Sequence, residues 1–226
     1  SGTFDSANNL TFAPAGNFVD VPEVVKRHVY KKKTFLEKLE EMRIVKDVVG
    51  MVMDRLGDTF IYGELLASIE ETRKSIEITH TKEKVLQAIN WLASSHYEIS
   101  FSLDTAISER VIFPVSYSES NGIEDARFVR FDDTDGSRPY YATYTAWDGR
   151  VTLPQLLETP DFVNFKLCTL NGAGVSNKGM ALFPRKIGGH YAMLSRQDDE
   201  CIFLMYSDDI HFWRETKLIA RPANYW

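Results

Sequence analysis

Two stretches of the chain carry one pattern, about fifty residues apart. The first runs Arg138 to Thr145, then Arg150 to Thr159, then Asp161 to Phe165. The second runs Gly189 to Arg196, then Cys201 to Ser207, then Asp209 to Trp213. Tyr141 answers to Tyr191, and Asp161 to Asp209. A repeat of this length built from short strands is the signature of propeller blades. Blades converge on a central funnel, so the repeat also says where a ligand site would lie.

The rest of the chain divides around that repeat. Residues 1–20 read as a hairpin turning at Asn8-Asn9, the remnant of a first blade. Residues 21–96 change to helical periodicity. Thr34 with Glu37 forms a capping-box pattern ahead of Phe35, Leu36, Leu39 and Met42. Val48 to Leu56 predicts a second helix ended by Gly57, Glu64 to Lys74 a third and Lys82 to Leu92 a fourth. This segment is expected to be a helical insertion that packs or covers, with no chemistry of its own.

From Tyr97 the pattern turns to strands: 97–103, 111–115, 126–131, 140–146, 151–158, 165–170, 180–187, 191–195, 202–207 and 216–220. Asp135-Gly136, Asp148-Gly149, Asn171-Gly172 and Gly188-Gly189 punctuate them. The predicted fold is mainly β: a partial five-bladed β-propeller with an inserted α-helical subdomain, whose incomplete blades fill 97–226. The start at Ser1 without methionine fits a fragment cut at both ends.

Composition narrows the function. A formal charge of −6 argues against a nucleic-acid partner, which usually needs a basic patch. No apolar run reaches the ~18 residues of a membrane span, so no membrane partner is expected. The two cysteines, Cys168 and Cys201, sit in apolar runs and read as reduced core thiols, which points to the cytoplasm. Neither they nor the five histidines show metal-ligand spacing.

Two polar clusters each deliver charge into the first strand of a blade. One is Ser116 to Arg127, with Glu124, Asp125 and Arg127 entering the strand after Gly122. Alternation puts Asp125 and Arg127 on one face and Glu124 on the other. A guanidinium beside a carboxyl favours its charged form, so a proton donor there needs its pKa raised or a substrate hydroxyl as relay. The other cluster, Ser176-Asn177-Lys178-Gly179, is the repeat counterpart. Lys178 is therefore expected near Asp125, with Arg196, Asp148 and Arg150 in the same region. Cations around one acid suit an oxyanion or a polyhydroxylated ligand. Taken singly, each is as easily a solvated charge, and the Asp125–Arg127 pair a structural salt bridge. Trp147 is a candidate to stack on a sugar.

These residues carry a resemblance. Asn121 to Arg127 followed by Tyr140 to Gly149, then Lys178 to Ile187, then Ser207 to Trp213, resemble glycoside hydrolase family 130 over about residues 108–222. The resemblance implies cleavage of β-mannosidic bonds with inversion, most directly phosphorolysis to mannose 1-phosphate. It implies Asp125 as general acid, with Asn121, Glu124, Arg127, Asp148, Arg150, Lys178 and Arg196 as sugar or phosphate contacts. It implies a small oligosaccharide substrate, no cofactor beyond inorganic phosphate as co-substrate, and leaves a homo-oligomer open. Leu194-Ser195-Arg196 departs from the pattern, since many phosphorylases carry a histidine before that arginine. Hydrolysis, a glycan-binding propeller without catalysis, and a fragment inactive alone are the competing readings.

Overall fold

The computed structural model describes residues 2–25 and 27–223. Residues 1, 26 and 224–226, which fall in the three regions expected above, lie outside the described residues. Fourteen strands and four α-helices follow one another along the described chain.

β1 (Gly2–Phe4) and β2 (Leu10–Phe12) form the hairpin expected at the start, closed by Asp5, whose carboxylate accepts from the amides of Ala7 and Asn9. Among the described residues it pairs only with itself, and Phe4 and Phe12 stand exposed. β3 (Glu23–Val25) leaves this region to join the main sheet. Residues 21–96 are therefore not wholly helical.

β4 (Val29–Lys31) runs directly into α1 (Lys32–Glu41). This overturns the Thr34 cap: the helix starts earlier, and Thr34 lies inside it. β4 pairs with β5 (Thr59–Ile61), and Asp58 O accepts from Lys32 N at 2.8 Å. That tertiary bond satisfies one of the first-turn N–H groups a capping side chain would otherwise serve. α2 (Lys46–Met53) follows, then α3 (Tyr62–Ser75), where the Glu64 carboxylate accepts from Ile61 N at 2.9 Å. α4 (His80–Ser94) is capped by Thr79, whose hydroxyl accepts from Lys82 N. Apolar positions from all four helices close one core: Leu39, Val52, Met53, Leu65, Leu86, Ile89 and Leu92 are buried together.

β6 (Tyr97–Ser100) opens the β region, with β7 (Ile123–Arg130), β8 (Tyr140–Trp147), β9 (Thr152–Thr159) and β10 (Asn164–Thr169). Their sheet has the order β3-β6-β10-β9-β8-β7. β11 (Ala181–Leu182), β12 (Tyr191–Ser195), β13 (Ile202–Ser207) and β14 (Glu215–Ala220) form a second antiparallel sheet in sequence order. The fold is thus mainly β, and each copy of the repeat sits in its own antiparallel meander, as in propeller blades.

The central strands of the larger sheet are buried on both faces, while the edge strand β7 is largely exposed. Tyr141 and Leu156 point into a core shared with Met193, Met205 and Trp213 of the second sheet. Ala142, Tyr144 and Leu157 point into another core with Tyr97, Ile99 and Phe165. This is period-two alternation with a buried partner on each side. Cys168 and Cys201 are buried free thiols. Two predicted strands fail. Residues 111–115 are irregular and 180–187 keep only β11, because Pro114 and Pro184 have no N–H to give a ladder. Among the described residues no helix is long and apolar enough to cross a membrane.

Candidate active site

The start of β7 is bulged. Glu124 pairs with Thr145 of β8 and Arg127 with Thr143, so two residues on β7, Asp125 and Ala126, stand against one on β8, Tyr144. Asp125 takes up the extra residue at φ +55°. The bulge corrects the alternation argument: Glu124 and Arg127, three apart in sequence, share a face with Thr145 and Thr143. Asp125 still reaches Arg127, with Oδ2 3.9 Å from Nη2, and both side chains are about half exposed. A non-glycine residue in the left-handed region marks a locally over-determined backbone, and such positions gather at functional sites.

Lys178 comes to this bulge from the segment before β11. Its Nζ lies 3.5 Å from Glu124 Oε2. Asp125, Lys178, Thr143, Thr145, Pro154 and Gly179 line one narrow cleft. Arg127 Nη1 donates to Gly179 O at 3.1 Å. A Cβ placed on Gly179 would lie 3.7 Å from Arg196 Nε and 3.8 Å from Arg127 Nη2, so two guanidiniums flank this residue. Arg196 Nε is buried with no hydrogen-bond partner among the described residues. Thr143 Oγ1 donates to Met180 O at 2.6 Å and pins one sheet to the other beneath the cleft. Two acids, Asp125 and Glu124, thus stand among three cations, Arg127, Lys178 and Arg196, a setting that can hold an anion beside a proton donor.

The remaining candidates lie further along. Asn121 N donates to Trp147 O at 2.8 Å, and its side-chain amide occupies the space a Cβ of Gly149 would need, 2.1 Å from that position. Gly149 also sits at φ +92°, a conformation that favours glycine. Asp148 Oδ1 accepts from the amides of Arg150 and Val151 at 2.8 and 2.7 Å, which shapes the β8–β9 turn. Asp148 and Arg150 line a separate, wider concavity against α4 and do not line the Asp125 cleft. Trp147 lines neither.

Sequence reading passed over Glu119. It is fully buried and accepts four donors: Tyr97 Oη, Tyr144 Oη at 2.8 Å, Val115 N and Ser116 N at 3.0 Å each. Burial pushes the Tyr144 hydroxyl well above the usual phenol range, and Tyr97 and Glu119 beside it push the same way. Tyr144 therefore stays protonated and donates a hydrogen bond to Glu119. Tyr144 lies between Thr143 and Thr145 on β8, so this network anchors from behind the strand that lines the Asp125 cleft. The available signal was a lone glutamate between Ser118 and Ser120 beside an apolar strand.

The profile of glycoside hydrolase family 130, described as beta-1,4-mannooligosaccharide phosphorylase, matches residues 80–226, about two thirds of the chain. The chain belongs to glycoside hydrolase family 130. The family match starts at α4, so α1 to α3 lie outside it. A 1,2-beta-oligomannan phosphorylase from Thermoanaerobacter sp. (strain X514) is 32% identical over 111 residues, which cover 48% of this chain and 36% of that protein. Among solved structures, beta-1,2-mannobiose phosphorylase from Listeria innocua, in complex with beta-1,2-mannobiose, is 24% identical at a TM-score of 0.42. That alignment covers 57% of this chain and 38% of the other. A putative glycoside hydrolase from Parabacteroides distasonis is 19% identical at a TM-score of 0.39, over 53% and 39% of the two chains. The chain therefore spans little more than a third of the length of these relatives.

Proposed function

We propose that the intact family 130 protein cleaves β-mannosidic bonds with inversion, by phosphorolysis to mannose 1-phosphate. Asp125 is the general acid. Inorganic phosphate attacks the anomeric carbon from the opposite face, the C1–O bond breaks, and the departing oxygen takes the Asp125 proton through a sugar hydroxyl. Phosphate is the nucleophile, so a second carboxylate is unnecessary, unlike in an ordinary inverting glycosidase. Lys178, Arg127 and Arg196 hold the anion, and Asn121, Glu124, Asp148 and Arg150 contact sugar. The observation that carries this reading is the shared cleft of Asp125 and Lys178, flanked by two guanidiniums from different sheets. In this reading the two meanders are blades of a five-bladed propeller, 21–96 an insertion between its strands, and the substrate a small oligosaccharide.

Hydrolysis is the second reading, favoured by one observation. Ser195, where a phosphate-donating histidine would stand, is buried, and its hydroxyl accepts from Gln197. The test is product analysis of the intact protein on mannobioses, with and without phosphate. Phosphate-dependent mannose 1-phosphate supports phosphorolysis, and free mannose without phosphate supports hydrolysis. Neither product, across the linkages, removes the mannoside reading.

A further inference from the structure

A separate pocket of about 250 Å³ lies where the helical region meets the β region. His28 before β4, Phe35 and Lys38 of α1, His96 after α4, Thr169 of β10 and His211 after β13 line it. The His28 and His96 rings stand edge to face, 4.7 Å between centroids, and Tyr30 stacks on His96 at 5.2 Å. Both ring nitrogens of His96 are buried with no hydrogen-bond partner among the described residues. A neutral imidazole offers one donor and one acceptor, and burying both unmet is unfavourable unless a guest meets them. Among the described residues no three His, Cys, Asp or Glu groups are placed to hold a metal ion, so these imidazoles do not form a metal centre.

The charges around the pocket select its guest. Burial, with His211 and Lys166 nearby, lowers the His28 pKa to about 4, and burial, His28, His211 and Lys38 push His96 down as well. Both rings are therefore neutral at pH 7. His211 differs: burial opposes its charge, but hydrogen bonds to Asp209 and Cys168 raise its pKa to about 10. Lys31, Lys38 and the His211 imidazolium thus line the pocket with one carboxylate, Asp209, while Glu41 pairs with Lys38 at 3.4 Å. Three cations face two acids, and Lys166 adds to the excess. Such a field favours an anion with several acceptor oxygens. Tyr30, Phe35 and Leu92 supply an apolar wall, which suits a sugar ring, apolar on its faces and hydroxylated at its rim.

We infer that this pocket binds a phosphorylated monosaccharide, at a site distinct from the Asp125 cleft. Lys38 Nζ already donates to Leu170 O at 3.0 Å, so Lys31 and His211 take the phosphate. His28 and His96 exchange hydrogen bonds with the sugar hydroxyls, and the ring lies against Tyr30 and Phe35. The guest touches α1, α4 and β10 together and so ties the helical region to the β region. The reaction proposed for the Asp125 cleft releases such a molecule, and the choice of mannose 1-phosphate as first probe rests on that reading.

The test is calorimetry of the intact protein with mannose 1-phosphate, mannose 6-phosphate and inorganic phosphate, in a Lys178→Ala background that weakens the Asp125 cleft. At least one sugar phosphate should bind at one equivalent, and inorganic phosphate about tenfold more weakly or worse. Adding His96→Phe keeps a ring stacked on Tyr30 but removes both nitrogens, and should weaken that binding about tenfold or more. His28→Gln, at a half-buried position, should act in the same direction and decides the matter if His96→Phe does not fold. A Kd above about 1 mM for both sugar phosphates overturns the proposal and leaves the pocket to water. Binding unchanged by a folded His96→Phe overturns it too, since the equivalent then sits elsewhere. Inorganic phosphate binding as tightly as the sugar phosphates would refute recognition of the sugar. Binding is read without turnover, so a protein that cleaves no mannoside ends the Asp125 reading alone, and one that cleaves mannosides but lacks this equivalent ends only the present inference.

Discussion

Replacing Glu119 with alanine should strongly destabilise the β region. Its carboxylate takes hydrogen bonds from two phenols and two backbone amides, all inside the protein. Truncation leaves those four donors in a dry pocket. Each unpaired buried donor costs about 1–3 kcal/mol, so even the low end sums to about 4 kcal/mol. That is a large share of the ~5–15 kcal/mol that holds a typical domain folded. Glu119→Gln keeps the volume and one acceptor oxygen, and should cost about 1–2 kcal/mol, since only part of the donor set is stranded. Urea unfolding followed by tryptophan fluorescence measures both. A loss below about 1 kcal/mol for Glu119→Ala would mean that water or rearranged side chains replace the carboxylate, and the wall of the cleft would not depend on it.

Gly172→Ala should be damaging for another reason. Gly172 sits at φ +106°, and a Cβ there would come 2.1 Å from Trp213 O, the acceptor for Gly174 N, so a loss of about 2 kcal/mol or more is expected in the melt. Lys178→Ala should leave stability within about 1 kcal/mol, because its pair with Glu124 is solvent-exposed, yet raise the KM for phosphate about tenfold or more. Stability should also fall in alkali. Burial opposes charging His211, but its hydrogen bonds to Asp209 and Cys168 raise its pKa to about 10. The contribution of a raised pKa is complete below the unfolded value of about 6.5 and is lost as pH rises through about 10. The urea midpoint should decline over that window in the wild type and decline less in Asp209→Asn.

The repeat was legible because its function is local. Asp161 and Asp209 each fold a carboxylate back onto the amides two residues on, so the same short motif recurs wherever that turn is needed. The buried helix positions were legible too, since 3.6-residue periodicity follows directly from burying one face. The start of α1 was not, because a hydrogen bond from Asp58, distant in sequence, replaced the expected cap. The bulge at Asp125 was also invisible: one extra residue against β8 shows only when two strands are paired, and it reverses which side Glu124 faces. The meeting of Asp125 with Lys178 followed from the repeat. The distance of Asp148 and Arg150 from that cleft did not, since it depends on how α4 packs over the β8–β9 turn.

The most direct test of the account is Asp125→Asn in the intact protein, assayed on mannobiose with phosphate present. General-acid loss should lower kcat about a thousandfold, with mannobiose affinity by calorimetry changed no more than about threefold. An Asp125→Asn protein that turns over within about twofold of the wild type would show that the proton comes from elsewhere, and the proposed centre would be wrong.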